Sequence, residues 1–145
     1  MNTPIQYRNR ISGLAAAMAA SFLLAGISAS AAEVKVSLTG AEETPPVSTS
    51  AGGTGTIQVN ADKSVSGSIK THGITGTAAH IHTGAPGESG PPIITLTQGP
   101  EGIWNVPAGS KLTDEQFANF KSGKLYVNVH SAEHKPGEIR AQLKP

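Results

Sequence analysis

The chain has 145 residues, with 11 Lys+Arg against 10 Asp+Glu, 5 His and no Cys. A near-neutral balance without a basic cluster excludes a nucleic-acid binder driven by electrostatics. The absence of cysteine excludes disulfide staples, so stability must come from burial, backbone pairing or a bound metal.

Residues 1–31 read as a secretory signal peptide. Arg8 and Arg10 precede an apolar stretch from Ile11 through Leu23 and Leu24 to Ile27, and Ala29-Ser30-Ala31 fits a small-x-small cleavage site. The apolar core is short and interrupted by Ser12, Gly13 and Ser21, which disfavours a retained membrane helix. No cysteine follows it to carry a lipid. A periplasmic or secreted location is expected, with no membrane span once the leader is cleaved. Of the 11 basic residues, Arg8 and Arg10 leave with it, so 9 remain against 10 acidic ones. Residues 32–145 are long enough for one domain with a modest core.

In that domain, Val34, Val36 and Leu38 alternate with Lys35, Ser37 and Thr39, which predicts a half-buried first strand. The Pro/Ser/Gly run 44–53 predicts a loop, and Glu42 and Glu43 before Pro45 and Pro46 read as solvated loop carboxylates. Residues 54–59 and 65–70 predict a hairpin about the turn-forming Asn60-Ala61-Asp62-Lys63-Ser64. Further strands are expected over 77–82, 93–96 and 102–106, the last with Trp104 as a core residue.

A helix is predicted near 114–122. Thr113 with Gln116 forms a capping box, Leu112 and Phe117 can form a hydrophobic staple, and Asp114 and Glu115 suit the positive end of the helix dipole. Gly123 suits the stop, and Phe117 and Phe120 would share the buried face. Strands over 125–130 and 138–143 complete the pattern. In the last one Ile139, Ala141 and Leu143 face inward, leaving Glu138, Arg140 and Gln142 outward, as an exposed pair of Glu138 with Arg140 or with Arg140 as a guide for anions. The fold class is all-β, a Greek-key β-sandwich of about seven or eight strands with one short helix.

The candidate chemistry lies in the histidines. In a strand, successive side chains point to opposite faces, so His80 and His82 share one face while Ile81 points the other way. Their rings stand roughly 6–7 Å apart along a strand rising ~3.3 Å per residue, close enough for inner nitrogens to converge on one ion. In the strand 125–130, Leu125, Val127 and Val129 make the apolar face, which turns His130 outward with Tyr126 and Asn128. If the two strands are neighbours, three neutral imidazoles meet on the outer surface, a donor set suited to copper, less to zinc. His134, in the polar loop 131–136, is a candidate fourth ligand, and His72 reads as a capping or surface residue.

Three blocks carry a resemblance: Ala79-His80-Ile81-His82 followed by Gly84, Gly87 and Gly90; Leu125-Tyr126-Val127-Asn128-Val129-His130-Ser131; and Gly137-Glu138-Ile139-Arg140-Ala141-Gln142-Leu143. Together they resemble the chordin-type (CHRD) domain, here over 32–145, with Ala141 where family members often have glycine. The resemblance implies an extracytoplasmic β-domain, found alone in bacteria and repeated in growth-factor-binding chordins. A more distant similarity is to the copper/zinc superoxide dismutases, Greek-key sandwiches that hold copper on the outer face through a His-x-His strand and a later His-bearing strand. This chain departs from them: residues 83–92 offer only Glu88 as a possible ligand and there is no disulfide, so a bridged two-metal site is excluded.

Three functions follow, in this order. The first is an exported domain that binds a metal ion, copper first, for handling, storage or sensing. The second is a metal-free module that binds an extracytoplasmic protein or a polymer. The third is a mononuclear copper redox enzyme resembling superoxide dismutase. Nucleophilic catalysis ranks below these, because Ser131 beside His130 has no acid partner at defined spacing. An enzyme is therefore the less favoured class.

Overall fold

The computed structural model describes Met1 and residues 31–145. The signal peptide read over 1–31 lies almost wholly outside the described residues. Among those described, no helix is long and apolar enough to cross a membrane.

Nine strands and one helix follow in chain order: β1 (Ala32–Thr39), β2 (Gly52–Val59), β3 (Val65–His72), β4 (Gly76–Thr83), β5 (Pro92–Thr95), β6 (Thr97–Gln98), β7 (Ile103–Asn105), α1 (Asp114–Lys121), β8 (Leu125–Ser131) and β9 (Ile139–Leu143). All pairings are antiparallel, in the order β5-β4-β8-β9-β1-β2-β3-β7-β6. The two ends of that order are one stretch of chain. Only Leu96 separates β5, which pairs with β4, from β6, which pairs with β7, and its N–H donates to the Ala79 carbonyl at 2.9 Å. The sheet therefore nearly closes on itself, which leaves few strand edges unpaired. The all-β class and the single helix are as expected. The strands belong to one nearly closed sheet, and β6 is too short for alternation to reveal.

Alternation decides what lies inside. Val34, Val36 and Leu38 of β1 are buried while Lys35, Ser37 and Thr39 are exposed. The interior is completed by Ile57, Val59, Ile69, Ile81, Val127, Val129, Ile139 and Leu143, with Trp104 buried among them as expected. The helix covers part of this core with Phe120, whose ring lies 6.4 Å from that of the half-buried Phe117. Its capping box is complete: the Gln116 N–H donates to Thr113 Oγ1 at 3.1 Å and the Thr113 N–H to Gln116 Oε1 at 2.9 Å. Gly123 takes φ 67°, the left-handed conformation that ends a helix at least cost in glycine. Thr113→Ala should lower unfolding stability by about 1 kcal/mol, read as a reduced urea midpoint at unchanged slope.

One face departs from the expected solvated surface. β8 and β9 are buried on both sides, because the segments 40–47 and 84–90 fold back over the outer face. Arg140 is 1% exposed and Glu43 is 6% exposed, so neither the surface pair of Glu138 with Arg140 nor the solvated Glu43 exists. Glu138 instead accepts a hydrogen bond from Thr49 Oγ1 at 2.7 Å, and Glu43 Oε1 accepts from the Asn128 amide at 3.3 Å.

Candidate metal centre

The site is a consequence of register between β4 and β8. Ala78 is opposite His130, His80 opposite Asn128 and His82 opposite Tyr126, while the intervening Ala79, Ile81, Val127 and Val129 are turned inward. One outward face therefore carries His80, His82, Tyr126, Asn128 and His130 in two adjacent files. One nitrogen of each of His80, His82 and His130 lies within 4.8 Å of those of the other two. His82 is buried, and the other two rings are partly open to solvent. His134 is outside this set. Its backbone closes the 131–137 turn, with its N–H donating to Ser131 Oγ at 3.1 Å. His72 is an exposed residue at the end of β3.

Hydrogen bonds define which nitrogen each ring offers. A carbonyl oxygen only accepts, so His82 Nδ1–H donates to the Gly90 carbonyl at 2.9 Å and His130 Nδ1–H donates to the Lys135 carbonyl at 2.7 Å. In the tautomer that these bonds select, each ring presents the Nε2 lone pair. His80 Nδ1 lies 3.0 Å from His130 Nε2, and since the latter is an acceptor, His80 Nδ1–H must be the donor. An ion held by His80 Nδ1, His82 Nε2 and His130 Nε2 would displace that proton to His80 Nε2, with no net change of charge on the rings. His82 Nε2 and Asn128 Oδ1 are both buried without a hydrogen-bond partner, and a ligand that took the Nε2 lone pair would satisfy the first of them. A ligating ring whose other N–H is held by a backbone carbonyl is also the usual outer shell of histidine metal sites.

Two loops hold the site with these carbonyls, Gly90 from the 84–90 loop and Lys135 from the 131–137 loop. Behind them lies a polar layer. Tyr126 stacks on His82 at 4.8 Å between centroids and 6° between planes, and its hydroxyl meets the Gly90 N–H at 3.3 Å. The Arg140 guanidinium lies 3.5 Å from the Tyr126 ring centre on the other side. Gln142 donates to the carbonyls of Gly84 at 2.7 Å and Gly123 at 2.8 Å. Tyr126 and Asn128 share the His130 face by alternation, but their contact with the β4 histidines depends on strand register. Nothing in local sequence marks Gly90 or Lys135 as the residues whose carbonyls accept from the site histidines.

Burial pushes the pKa of both His80 and His82 below the ordinary histidine value. The neighbouring histidines add to this at His80, and the hydrogen bond to Gly90 opposes it at His82. Both rings are thus kept neutral, the form that ligates a metal. The same shifts make stability pH-dependent. Above the unfolded value of about 6.5, neither state binds the protons; as pH falls below it, the unfolded chain binds them first and stability declines until the lowered folded pKa values are passed. Between pH 7.5 and 5 the metal-free wild type should therefore lose more stability than His80→Ala, measured as urea midpoints.

An all-β domain with an outward three-histidine cluster that could hold a metal ion is thus defined. Residues 34–143 match the CHRD domain model, and the chain belongs to the CHRD domain family. Comparison with curated proteins and with solved structures gave no match.

Proposed function

We propose that this CHRD-domain protein binds one copper ion per chain through His80, His82 and His130, and serves in copper handling, storage or sensing after export. The observation that carries this reading is the convergence of three imidazole nitrogens within 4.8 Å, two with their second nitrogen already engaged by a carbonyl. Three neutral imidazoles favour copper over the other first-row divalent ions by the general order of affinities. A site with no carboxylate or thiolate within the cluster has little to offer magnesium or calcium. Export is supported by the N-terminal sequence, and an oxidising compartment lacks the thiols that would compete for copper.

Titration of the domain with Cu(II) should saturate at about one ion per chain, and electron paramagnetic resonance of the loaded protein should show coupling to several imidazole nitrogens. Saturation without nitrogen coupling, or stronger retention of Zn(II) than of Cu(II) in direct competition, would reject the copper assignment.

A further inference from the structure

Arg140 is permanently charged, buried and without an acidic partner. Its guanidinium donates to the carbonyls of Glu88 at 2.8 Å and Ala85 at 3.0 Å, to Gln142 Oε1 at 2.9 Å and to Thr44 Oγ1 at 3.4 Å, all neutral acceptors. No ion pair within 4.0 Å involves it among the described residues. Glu43, the acid that its field reaches, is buried, bound to Asn128 and not paired with it. A buried cation without an ion-pair partner is costly, and apolar residues would hold the loop without that cost. The position of the charge is therefore informative. The Tyr126 ring lies between it and His82, with 3.5 Å from the guanidinium to the phenol and 4.8 Å from the phenol to the imidazole.

We propose that Arg140 sets the oxidation-state preference of the histidine centre, biasing it toward Cu(I) over Cu(II). The inference rests on the copper reading of that site. The ligand set is three neutral imidazoles, so no ligand charge offsets the second positive charge of Cu(II). A unit charge at about 10 Å and an effective dielectric of ~20 changes an equilibrium between ions that differ by one charge by roughly tenfold, against the more positive ion. Partial burial of the centre limits screening by salt. Three nitrogen ligands also suit Cu(I), which accepts low coordination numbers, whereas Cu(II) prefers a fuller tetragonal shell. Arg140 acts here by charge, in addition to clamping the 84–90 loop by shape.

The experiment measures Cu(I) affinity by chelator competition without oxygen and Cu(II) affinity by competition in air, for wild type, Arg140→Lys and Arg140→Gln, each checked for folding by circular dichroism. Wild type should bind Cu(I) more tightly than Cu(II). Arg140→Gln should shift the ratio of the two affinities toward Cu(II) by about tenfold, equivalent to about 59 mV for a one-electron couple. Arg140→Lys, which keeps the charge and loses the planar fork, should stay within about threefold of wild type. An unchanged ratio in folded Arg140→Gln, or equal shifts in both variants, would overturn the proposal, the latter by reducing Arg140 to a loop clamp. Should Arg140→Gln not fold, the wild-type preference decides, and tighter binding of Cu(II) overturns it. Failure of wild type to bind either ion would instead overturn the proposed function itself.

Discussion

Alanine at any one of His80, His82 or His130 should lower copper affinity by more than about 100-fold, beyond the 10–100-fold that loss of an outer-shell partner costs. With one ring gone, the two that remain are those of a much weaker chelate, and no other His, Asp or Glu of the described residues shares the cluster to replace it. The three variants should differ in a second respect. His82 is packed on Tyr126 and bonded to Gly90, so its loss also loosens the 84–90 loop, whereas His80 and His130 are partly exposed and their loss should leave the unfolding midpoint close to that of wild type. His72→Ala and His134→Ala should keep nearly full affinity, because neither ring belongs to the set. Isothermal titration with Cu(II) and a parallel melt of each variant separate the two effects. Equal uptake by wild type and a folded His80/His82/His130 triple alanine variant would sink the metal reading and favour a metal-free binding module.

Much of this site can be read from alternation, because the constraint is local. Ile81 and Val129 must face the core, and the period of a strand then turns His80, His82 and His130 outward without knowledge of any partner. The same rule puts Arg140 and Gln142 on the outer face. It cannot say that this face is covered. Whether an outward residue meets water depends on where distant loops fold, and a Gly/Pro run such as 84–92 looks the same in sequence whether it projects or lies flat. Hence Arg140 reads as a surface charge and is in fact 1% exposed. Glu43 is the same case, a loop acid by composition and a buried partner of Asn128 in the fold. Register is the other missing term. The match of Ala78 with His130 joins residues about fifty positions apart, and a slip by two that set Gly76 opposite His130 would leave every side chain on its proper face yet draw the histidines apart.

Gly90→Ala should weaken copper binding by about 10–100-fold although the residue offers no ligand atom. Its carbonyl accepts the His82 Nδ1–H at 2.9 Å, which commits that ring to presenting Nε2, and its N–H meets the Tyr126 hydroxyl at 3.3 Å. A Cβ at this position would collide with the carbonyl oxygen of Thr83, a backbone atom of β4 that has little room to give. The loop would have to lift from the strand, and the Gly90 carbonyl would leave the imidazole with it. His82 would then be free to turn or to carry its proton on Nε2, and in either case the third lone pair is lost part of the time. Gly87→Ala is the matched control in the same loop, where an added Cβ meets nothing within 4 Å; its φ of 79° costs some stability without touching His82. Copper titration of the two variants therefore separates damage to the loop from loss of the carbonyl. Equal affinities in Gly90→Ala and Gly87→Ala would show that the Gly90 contact does not hold His82 in its ligating form.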